Sequence, residues 1–427
     1  MYVLVLYWHF DTEETLRPAI RQHLHALDLS NSHFHIIYYN AVGGAPAWLR
    51  HFHFDAVILH TTFLALRWSS YFRDGWKKQL GWLRDVPCIK IAIPQDEYDH
   101  SEILDEWLEE WGVSAIFTNF GINHRAILYP RLHAKARFFK CHTGYIDPIL
   151  AERYAPKLLS IRDRSVDIVY RASHLPYWVG SHGQLKHQIG SVVMQHAAEL
   201  GLRCDISTRP DEVIIGEPWF DFLASGRAVL GCESGSSVLD RRGEIQAKIN
   251  ALVTEKPDLS FDEASSQMPS GWDDHRFFAL SPRHFEAVLT KTCQVLVEGE
   301  YEGVFRPNIH YIPLKRDFSN VEEVLKKVKD HSYLQQIVDR AYYDIYQSGD
   351  YTYRGLARDL GSLIGERRQM NLVFTVLRSI LWPFRHIVRD SERQRLGDFR
   401  AAFYSPEPIN WNRFDKPRLR GVLVLHQ

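Results

Sequence analysis

The chain has 427 residues, a length that predicts two or three domains, and its hydrophobic fraction of 45% and charged fraction of 24% are those of an ordinary globular protein. This composition excludes a wholly disordered chain, a collagen-like fibre and a disulfide-stapled miniprotein. Lysine plus arginine (51) nearly equals aspartate plus glutamate (52), so the net charge of −1 argues against a protein that wraps nucleic acid, and we expect no nucleic-acid partner.

Strands and helices are predicted to alternate along the first third of the chain, because short apolar runs are followed by longer amphipathic stretches. The predicted strands are Tyr2–Tyr7, Phe34–Tyr39, Ala56–Leu59, Cys88–Ile93, Ala115–Thr118 and a weaker Ala136–Cys141. The predicted helices between them are Glu13–Leu27, Leu64–Arg84 and Glu102–Trp111. The segment Thr143–Arg164, which contains glycine and prolines, suits a crossing between two domains.

The alternation restarts after this crossing. The predicted strands are Val166–Tyr170, Leu202–Ile206, Arg227–Gly231, Phe277–Leu280, Cys293–Val297 and His310–Pro313. The predicted helices are Gly183–Leu200, Phe220–Ala224, Pro282–Lys291, Val321–Lys329 and Tyr333–Ser348. We therefore predict an α/β protein with two Rossmann-like βαβ domains, 1–155 and 156–360, that face each other across a cleft and are followed by a helical segment, 361–427.

The helical segment is basic. Residues 361–400 contain eight arginines against four acids. Four apolar residues follow helical spacing there, namely Val373, Leu377, Ile380 and Phe384. A basic amphipathic helix over 365–395 can bind an anionic membrane surface, or it can pack across the two domains, and the sequence leaves both possibilities open.

Three features of the sequence predict a cytoplasmic protein without a resident metal. Five widely spaced cysteines without a CxxC pair are typical of free thiols in a reducing compartment. The N-terminal run MYVLVLYWHF lacks the basic start and cleavage site of a signal peptide, and no apolar run reaches the roughly 18–20 residues that span a bilayer. The closely spaced N-terminal histidines have no HExxH arrangement, so we predict neither a metal site nor a bound cofactor.

Common catalytic signatures are missing from the sequence. It contains no GxxxxGK[ST] phosphate loop, no GxGxxG after a strand and no D-x-D triplet of the kind that holds a metal ion on a sugar diphosphate. The run GCESG at 231–235 resembles a nucleophile elbow only loosely, because its serine is in the wrong place.

Four loops follow strands that we expect to lie in one parallel sheet, and ligands bind at the carboxyl edge of such sheets. Basic groups near helix starts and small residues that allow close approach to the backbone suit a diphosphate. The candidate donor-binding residues in these loops are Arg171, Lys186, Glu233, Ser234, Gly235, Arg283, Glu286, Tyr301, Glu302 and Gly303.

The stretches SPRHFEA (281–287), TCQVLVEGEYEGVFRPNIHYIPLKRDFSNVEEV (292–324) and YQSGDYTYR (346–354) resemble the nucleotide-binding domain of two-domain GT-B glycosyltransferases. The resemblance is greatest to the group-1-like enzymes encoded with bacterial surface polysaccharides, which are related to the spore-maturation CgeB-like proteins. It covers 165–360 well and the N-terminal half only by general pattern. It implies that Glu286 binds the donor ribose and that the backbone near Tyr301–Gly303 meets the diphosphate and sugar.

One departure from that family concerns the donor sugar. The usual E-x7-E pair would place its first glutamate at Phe278, eight residues before Glu286. The contact that this glutamate makes with the donor sugar would therefore fall to Arg283 or Glu298.

In that family the N-terminal domain holds the acceptor, and the run PQDEYDH at 94–100 is its best candidate here. A carboxylate of Asp96 or Glu97 at the end of the fourth strand could take the proton of an acceptor hydroxyl in an inverting reaction. Acids there could equally cap the helix that follows.

The predicted function is metal-independent transfer of a sugar from a nucleotide-diphosphate donor to a hydroxyl of a glycan or lipid-linked glycan, in bacterial surface polysaccharide synthesis. Arg171, Lys186 and helix N-terminal amides would stabilise the leaving diphosphate. The alternatives are a nucleotide-sugar epimerase of the same fold and a non-catalytic partner module.

Overall fold

The structure, a computed structural model, describes residues 1–30, 34–44 and 47–366. The basic helix predicted over 365–395 lies almost wholly outside these described residues. Within them, no helix combines the length and apolar character needed to cross a bilayer. The chain divides into two compact units. The first comprises 1–16, 30–141 and the described residues from 357 on, and the second comprises 17–29 and 142–356.

The first unit contains a six-stranded parallel sheet in the order β2-β1-β3-β4-β5-β6. Its strands are β1 (Tyr2–Tyr7), β2 (His35–Asn40), β3 (Ala56–Leu59), β4 (Ile89–Ala92), β5 (Ala115–Thr118) and β6 (Arg137–Lys140). The α-helices in this half of the chain are α1 (Pro18–Leu24), α2 (Thr61–Leu64), α3 (Ser70–Leu80), α4 (Ser101–Glu110) and α5 (Ile122–Leu128). Strands β1, β3 and β5 are buried at every residue, as parallel strands covered on both faces must be.

Two long helices predicted from the sequence are interrupted. The segment Glu13–Leu27 is broken because Pro18 excludes the helical conformation at the preceding residue, and Arg17 is extended with ψ 140°. Helix α1 therefore begins only at Pro18. The segment Leu64–Arg84 is broken at Ser69, which is also extended, and α3 starts after it.

The second unit contains a five-stranded parallel sheet in the order β13-β12-β9-β7-β8, together with a two-stranded antiparallel sheet. The strands are β7 (Val166–Arg171), β8 (Cys204–Ser207), β9 (Gly226–Gly231), β10 (Ser234–Ser236), β11 (Phe277–Ala279), β12 (Cys293–Val297) and β13 (Ile312–Leu314). The α-helices in this part of the chain are α6 (Pro148–Tyr154), α7 (Ser181–Glu199), α8 (Glu217–Ser225), α9 (Glu244–Glu255), α10 (Phe261–Ser266), α11 (Pro282–Leu289), α12 (Val321–Val328), α13 (His331–Ala341) and α14 (Tyr353–Gly365), whose residues from 357 on belong to the first unit.

The parallel sheet of the second unit has a hydrophobic core on each face. Ile168 and Tyr170 of β7 belong to the core that contains α7, α12 and α13, whereas Val169 between them belongs to the core that contains α6, α8 and α11. Strands β9 and β12 alternate in the same way. This period of two, with apolar residues on both faces, is why these strands are readable as continuous apolar runs.

The expectation that four loops follow strands of one parallel sheet is wrong for the third loop. The strand before it, β11, pairs antiparallel with β10 outside the five-stranded sheet. Gly235 makes this pairing possible, because its φ of 103° disfavours other residues and a Cβ there would overlap the carbonyl oxygen of Phe277. Three loops, after β7, β9 and β12, do follow neighbouring strands of the parallel sheet.

Candidate functional site

A carboxylate held by a tryptophan lies on α11, beside the carboxyl edge of the second sheet. Oε2 of Glu286 accepts a 2.8 Å hydrogen bond from Nε1 of Trp219 on α8. Among the described residues none donates a hydrogen bond to the other oxygen, Oε1. Burial raises the pKa of Glu286, while the Trp219 bond and the charges of Arg283 and Arg17 lower it. The carboxylate is thus fixed by one oxygen, and the second can accept a hydrogen bond from a ligand hydroxyl.

Arg283 lies one helical turn before Glu286, and two contacts hold its guanidinium group. Its guanidinium carbon lies 5.0 Å from the centre of a Trp219 ring, and Nη1 donates a hydrogen bond to the backbone oxygen of Arg171. The rest of the side chain is exposed. A guanidinium that stacks on an indole and leaves further N–H groups exposed can bind an anion.

Arg17 is a residue of this site that the sequence reasoning missed. Segment 17–29 belongs to the second unit and packs on the rest of it: Nε2 of Gln22 donates to Oδ2 of Asp147 at 2.7 Å, and the Tyr353 hydroxyl donates to the oxygen of Ala19 at 3.0 Å. Burial and the charge of Arg283 lower the pKa of Arg17 to about 10, and Glu286 raises it. Within the described chain Arg17 forms no ion pair, so two arginines share one carboxylate here.

Arg171 ends β7, as predicted, but its charge is largely neutralised. Nη2 donates to Oδ1 of Asp205 at 2.7 Å, and Nη1 donates to the Asp205 backbone oxygen at 3.1 Å. The guanidinium also lies 4.5 Å from the Phe222 ring. Because its own carbonyl accepts the hydrogen bond from Arg283, the structure gives Arg171 a role in positioning Arg283.

The N-terminal amides of α7 are already bonded within the protein, contrary to the expectation that they would meet a diphosphate. The Ser181 N–H lies 3.0 Å from each carboxylate oxygen of Asp273, and the His182 N–H donates to Oγ of Ser237 at 3.2 Å. Asp273 lies far along the chain in an insertion that the sequence did not resolve into elements. Lys186, a predicted donor-binding residue, lies in the second turn of α7.

Glu233 and Glu302 act inside the protein. Oε1 of Glu233 accepts a 2.7 Å hydrogen bond from the Tyr301 N–H, and the carboxylate packs against Gly299. Oε2 of Glu302 lies 3.0 Å from Nδ1 of His142, and Oε1 accepts from the Leu280 N–H at 3.3 Å. Ser234 and Gly235 are similarly engaged in the β10–β11 pair. These four predicted residues shape the loops around the site.

In the first unit, Asp96 and Glu97 follow β4 but lie in different surroundings. Glu97 is 0% exposed. Its oxygens accept hydrogen bonds from Thr118 Oγ1 (2.6 Å), the Asn119 N–H (2.9 Å) and the Tyr129 hydroxyl. Burial raises the pKa of Glu97 to about 7 despite these bonds. Asp96 is partly exposed, with φ 49°, and its Oδ1 accepts a 2.7 Å hydrogen bond from the Tyr98 hydroxyl.

The loop that carries these two acids is held by a buried arginine. Arg67 donates to the backbone oxygens of Gln95 (3.0 Å), Asp96 (2.7 Å) and Asp99 (2.9 Å). Of the two predicted catalytic acids, only Asp96 therefore combines a fixed backbone with a carboxylate that reaches the surface.

Comparisons with known proteins identify the fold. No protein-family model matches the sequence, and no curated protein matches it either. A solved alpha-glucosyltransferase, in complex with UDP and a 13-mer DNA containing a central A:G mismatch, is similar over 86% of this chain and 100% of that chain, with 11% identity and a TM-score of 0.50. Sucrose-phosphate synthase from Thermosynechococcus elongatus is similar over 87% and 100%, with 9% identity and a TM-score of 0.50.

At these identities the similarity concerns the fold. The chain has the GT-B fold, with two Rossmann-like units, each built on a parallel sheet. The predicted fold class is thereby confirmed. The closer resemblance to the CgeB-related group stays a prediction.

Proposed function

We propose that the protein is a glycosyltransferase that binds a nucleoside-diphosphate sugar at the carboxyl edge of its second sheet. One observation carries this proposal. In a chain with the GT-B fold, Trp219 binds one carboxylate oxygen of Glu286, and the charges of Arg283 and Arg17 act on the same carboxylate. Ribose hydroxyls can donate to the remaining carboxylate oxygen, and a diphosphate can neutralise the two arginines.

Departure of the diphosphate builds up negative charge, and cations already in place stabilise it without reorganisation. Arg283 and Arg17 supply two such cations, and Lys186 on α7 supplies a third. Arg171 holds Arg283 through its backbone oxygen. Loop 301–303, held by Glu233, presents backbone groups toward the diphosphate and sugar. The proposal assigns charge neutralisation to these side chains rather than to a metal, which a chelator tests.

For the acceptor we propose a hydroxyl of a glycan or lipid-linked glycan of the bacterial surface. Asp96 is the candidate general base, because it is partly exposed and the Tyr98 hydroxyl orients its carboxylate. A base at this position would make the reaction inverting. Peripheral binding of segment 365–395 to anionic lipid on the cytoplasmic side belongs to the same proposal.

Calorimetric titration with UDP, GDP, CDP and ADP in the presence of EDTA tests the donor site. Uridine nucleotides come first, because one of the two similar structures is described in complex with UDP. We expect one nucleotide to bind, and Glu286→Gln to weaken it at least tenfold. Glu244→Gln, an exposed change on α9, is the matched control. Absence of binding by every nucleotide, or equal binding by both variants, would overturn the donor site.

A further inference from the structure

Positively charged side chains other than the proposed diphosphate ligands lie near His182, and one of them, Arg316, follows β13. The charge of Arg283 acts on His284, that of Arg316 acts on His182, and that of Lys186 acts on both histidines. Burial, together with these charges, lowers the pKa of both histidines to about 3. Arg283 belongs to α11, and Arg316 follows β13. The charge of Lys186 thus acts both on the histidine beside Arg283 and on the histidine that Arg316 influences.

Two arginines near His182, Arg276 and Arg316, lie beside the aromatic ring of Phe278. The guanidinium carbons of Arg276 and Arg316 lie 5.7 Å and 5.9 Å from the centre of the Phe278 ring. His182 stacks on the same ring, with centroids 3.7 Å apart and planes 20° from parallel. Phe278 is half-buried, so part of the ring remains open to a ligand. Sugars pack on such rings through their C–H faces. We call these four residues the Phe278 subsite.

The two arginines of the Phe278 subsite are little engaged in ion pairs within the described chain. Arg316 is exposed and makes no ion pair within the described chain. Nη2 of Arg276 lies 3.9 Å from Oε1 of Glu300, but the two side chains are 67% and 83% exposed, and such a contact contributes little. A diphosphate is matched by the cations of the proposed function, Arg283, Arg17 and Lys186. Arg276 and Arg316 are therefore in excess of what the diphosphate needs.

His182 adds a hydrogen-bond acceptor beside the ring. Its side chain is buried, and its Nε2 lies 3.0 Å from the backbone oxygen of Glu233, which requires the proton on Nε2. Nδ1 is then an acceptor, and within the described chain it has no hydrogen-bond partner although it is buried. A sugar hydroxyl is a donor that can satisfy it.

The order of the strands gives this subsite its place along the donor. Trp219 lies on α8, which packs against β7 and β9, and Glu286 lies on α11, which packs against β12. Arg316 follows β13, the edge strand that pairs with β12. A donor whose ribose binds Glu286 and whose diphosphate lies near Lys186 would bring its sugar to the Phe278 subsite.

Given the proposed function, on which this inference rests, we propose that the Phe278 subsite selects an acidic sugar donor. The carboxylate of a uronic-acid residue would bind between Arg276 and Arg316, the sugar ring would pack on Phe278, and a sugar hydroxyl would donate to Nδ1 of His182. A carboxylate between two guanidinium groups makes charge-assisted hydrogen bonds that a neutral sugar lacks, and this difference would favour the acidic donor.

Titration with three probes of the same base tests the proposal, for instance UDP, UDP-glucose and UDP-glucuronate. We expect the wild-type protein to bind the glucuronate at least tenfold more tightly than the glucose compound. In the double variant Arg276→Gln/Arg316→Gln this preference should vanish, while UDP itself binds within about twofold of wild type. Arg354→Gln, an exposed change on α14, is the matched control and should keep the preference.

Equal binding of the neutral and acidic sugars by the wild type would overturn the acidic-donor proposal. A loss of UDP affinity in the double variant as large as the loss for UDP-glucuronate would also overturn it, because the arginines would then serve the diphosphate. If the wild type binds none of the three probes, or their counterparts with another base, the proposed function itself fails. If the double variant binds UDP-glucuronate as tightly as wild type while UDP binding is intact, the anion is held elsewhere and the subsite assignment is wrong.

Discussion

Oε1 of Glu233 accepts a 2.7 Å hydrogen bond from the backbone N–H of Tyr301, and so joins the loop after β9 to the loop after β12. The joined loop is strained, because two residues other than glycine, Tyr301 and Glu302, have φ values of 43° and 54°. The buried carboxylate holds a conformation that the backbone alone does not favour. The loop that meets the donor in the proposed function is thus shaped before any ligand arrives.

Removing that carboxylate should loosen the loop. We expect Glu233→Ala to lower the free energy of unfolding by about 1–3 kcal/mol, because the Tyr301 N–H loses its buried acceptor. Hydrogen exchange at residues 299–303 should accelerate. Glu298→Ala, an exposed change nearby, should do neither. Unchanged exchange in Glu233→Ala would show that the loop is held by other contacts.

Arg17 should matter to the diphosphate and not to the nucleoside. We expect Arg17→Ala to weaken UDP about tenfold and to leave uridine binding unchanged, because the cation beside Arg283 is lost while Glu286 stays in place. Arg21→Ala, an exposed change on the same helix, is the control. An equal loss for uridine and UDP would mean that Arg17 acts through the fold of segment 17–29.

Glu97 should make stability depend on pH. Its pKa is raised from 4.5 to about 7, so the folded state binds the proton more tightly than the unfolded state. The stabilisation from the bound proton is full below pH 4.5 and is lost as the pH rises to about 7, on the order of 3 kcal/mol in total. Glu97→Gln, which resembles the protonated acid, should remove this loss.

The difference in stability between wild type and Glu97→Gln separates the effect of Glu97 from the effects of other buried titratable groups. His23, whose pKa burial lowers to about 4, contributes with the opposite sign, since its stabilisation grows as the pH rises through this range. We therefore expect the variant to become more stable relative to wild type as urea titrations move from pH 4.5 to pH 7. A difference that is constant with pH would contradict the raised pKa.

Asp96 should be needed for transfer and not for donor binding. We expect Asp96→Asn to reduce kcat at least a hundredfold with the nucleotide Kd unchanged, because an amide cannot take the acceptor proton. The amide keeps an oxygen that can accept from the Tyr98 hydroxyl, so the loop should stay folded. Asp28→Asn, an exposed change on segment 17–29, is the control. Retained turnover in Asp96→Asn would remove Asp96 as the base.

Much of the fold was readable because the strands are buried on both faces. Ala56–Leu59 and Cys293–Val297 were predicted with the bounds that the structure has, since each is a short continuous apolar run between turns. Strand β11 was predicted as Phe277–Leu280, but its partner β10 was not. Ser234–Ser236 consists of small residues, and it is extended in a pair with the distant β11. Local sequence carries no signal for such a pairing.

The candidate site was predicted in part for the same reason. Glu286 and Arg283 share a helix face, which spacing alone predicts. Arg17 joins them through the packing of segment 17–29 on the second unit, and Asp273 reaches Ser181 from a distant insertion. Both contacts depend on tertiary structure, so no sequence motif predicts them. Glu97 was chosen by its position after a strand, and its burial among Thr118, Asn119 and Tyr129 is equally tertiary.

Hydrogen–deuterium exchange with and without a saturating nucleoside diphosphate, in EDTA, tests the central claim most directly. We expect slower exchange in peptides that cover residues 217–223, 281–289 and 299–303. Peptides from α9, residues 244–255, should not change. Protection confined to other regions, or none at a concentration that calorimetry shows to be saturating, would contradict a nucleotide site at the carboxyl edge of the second sheet.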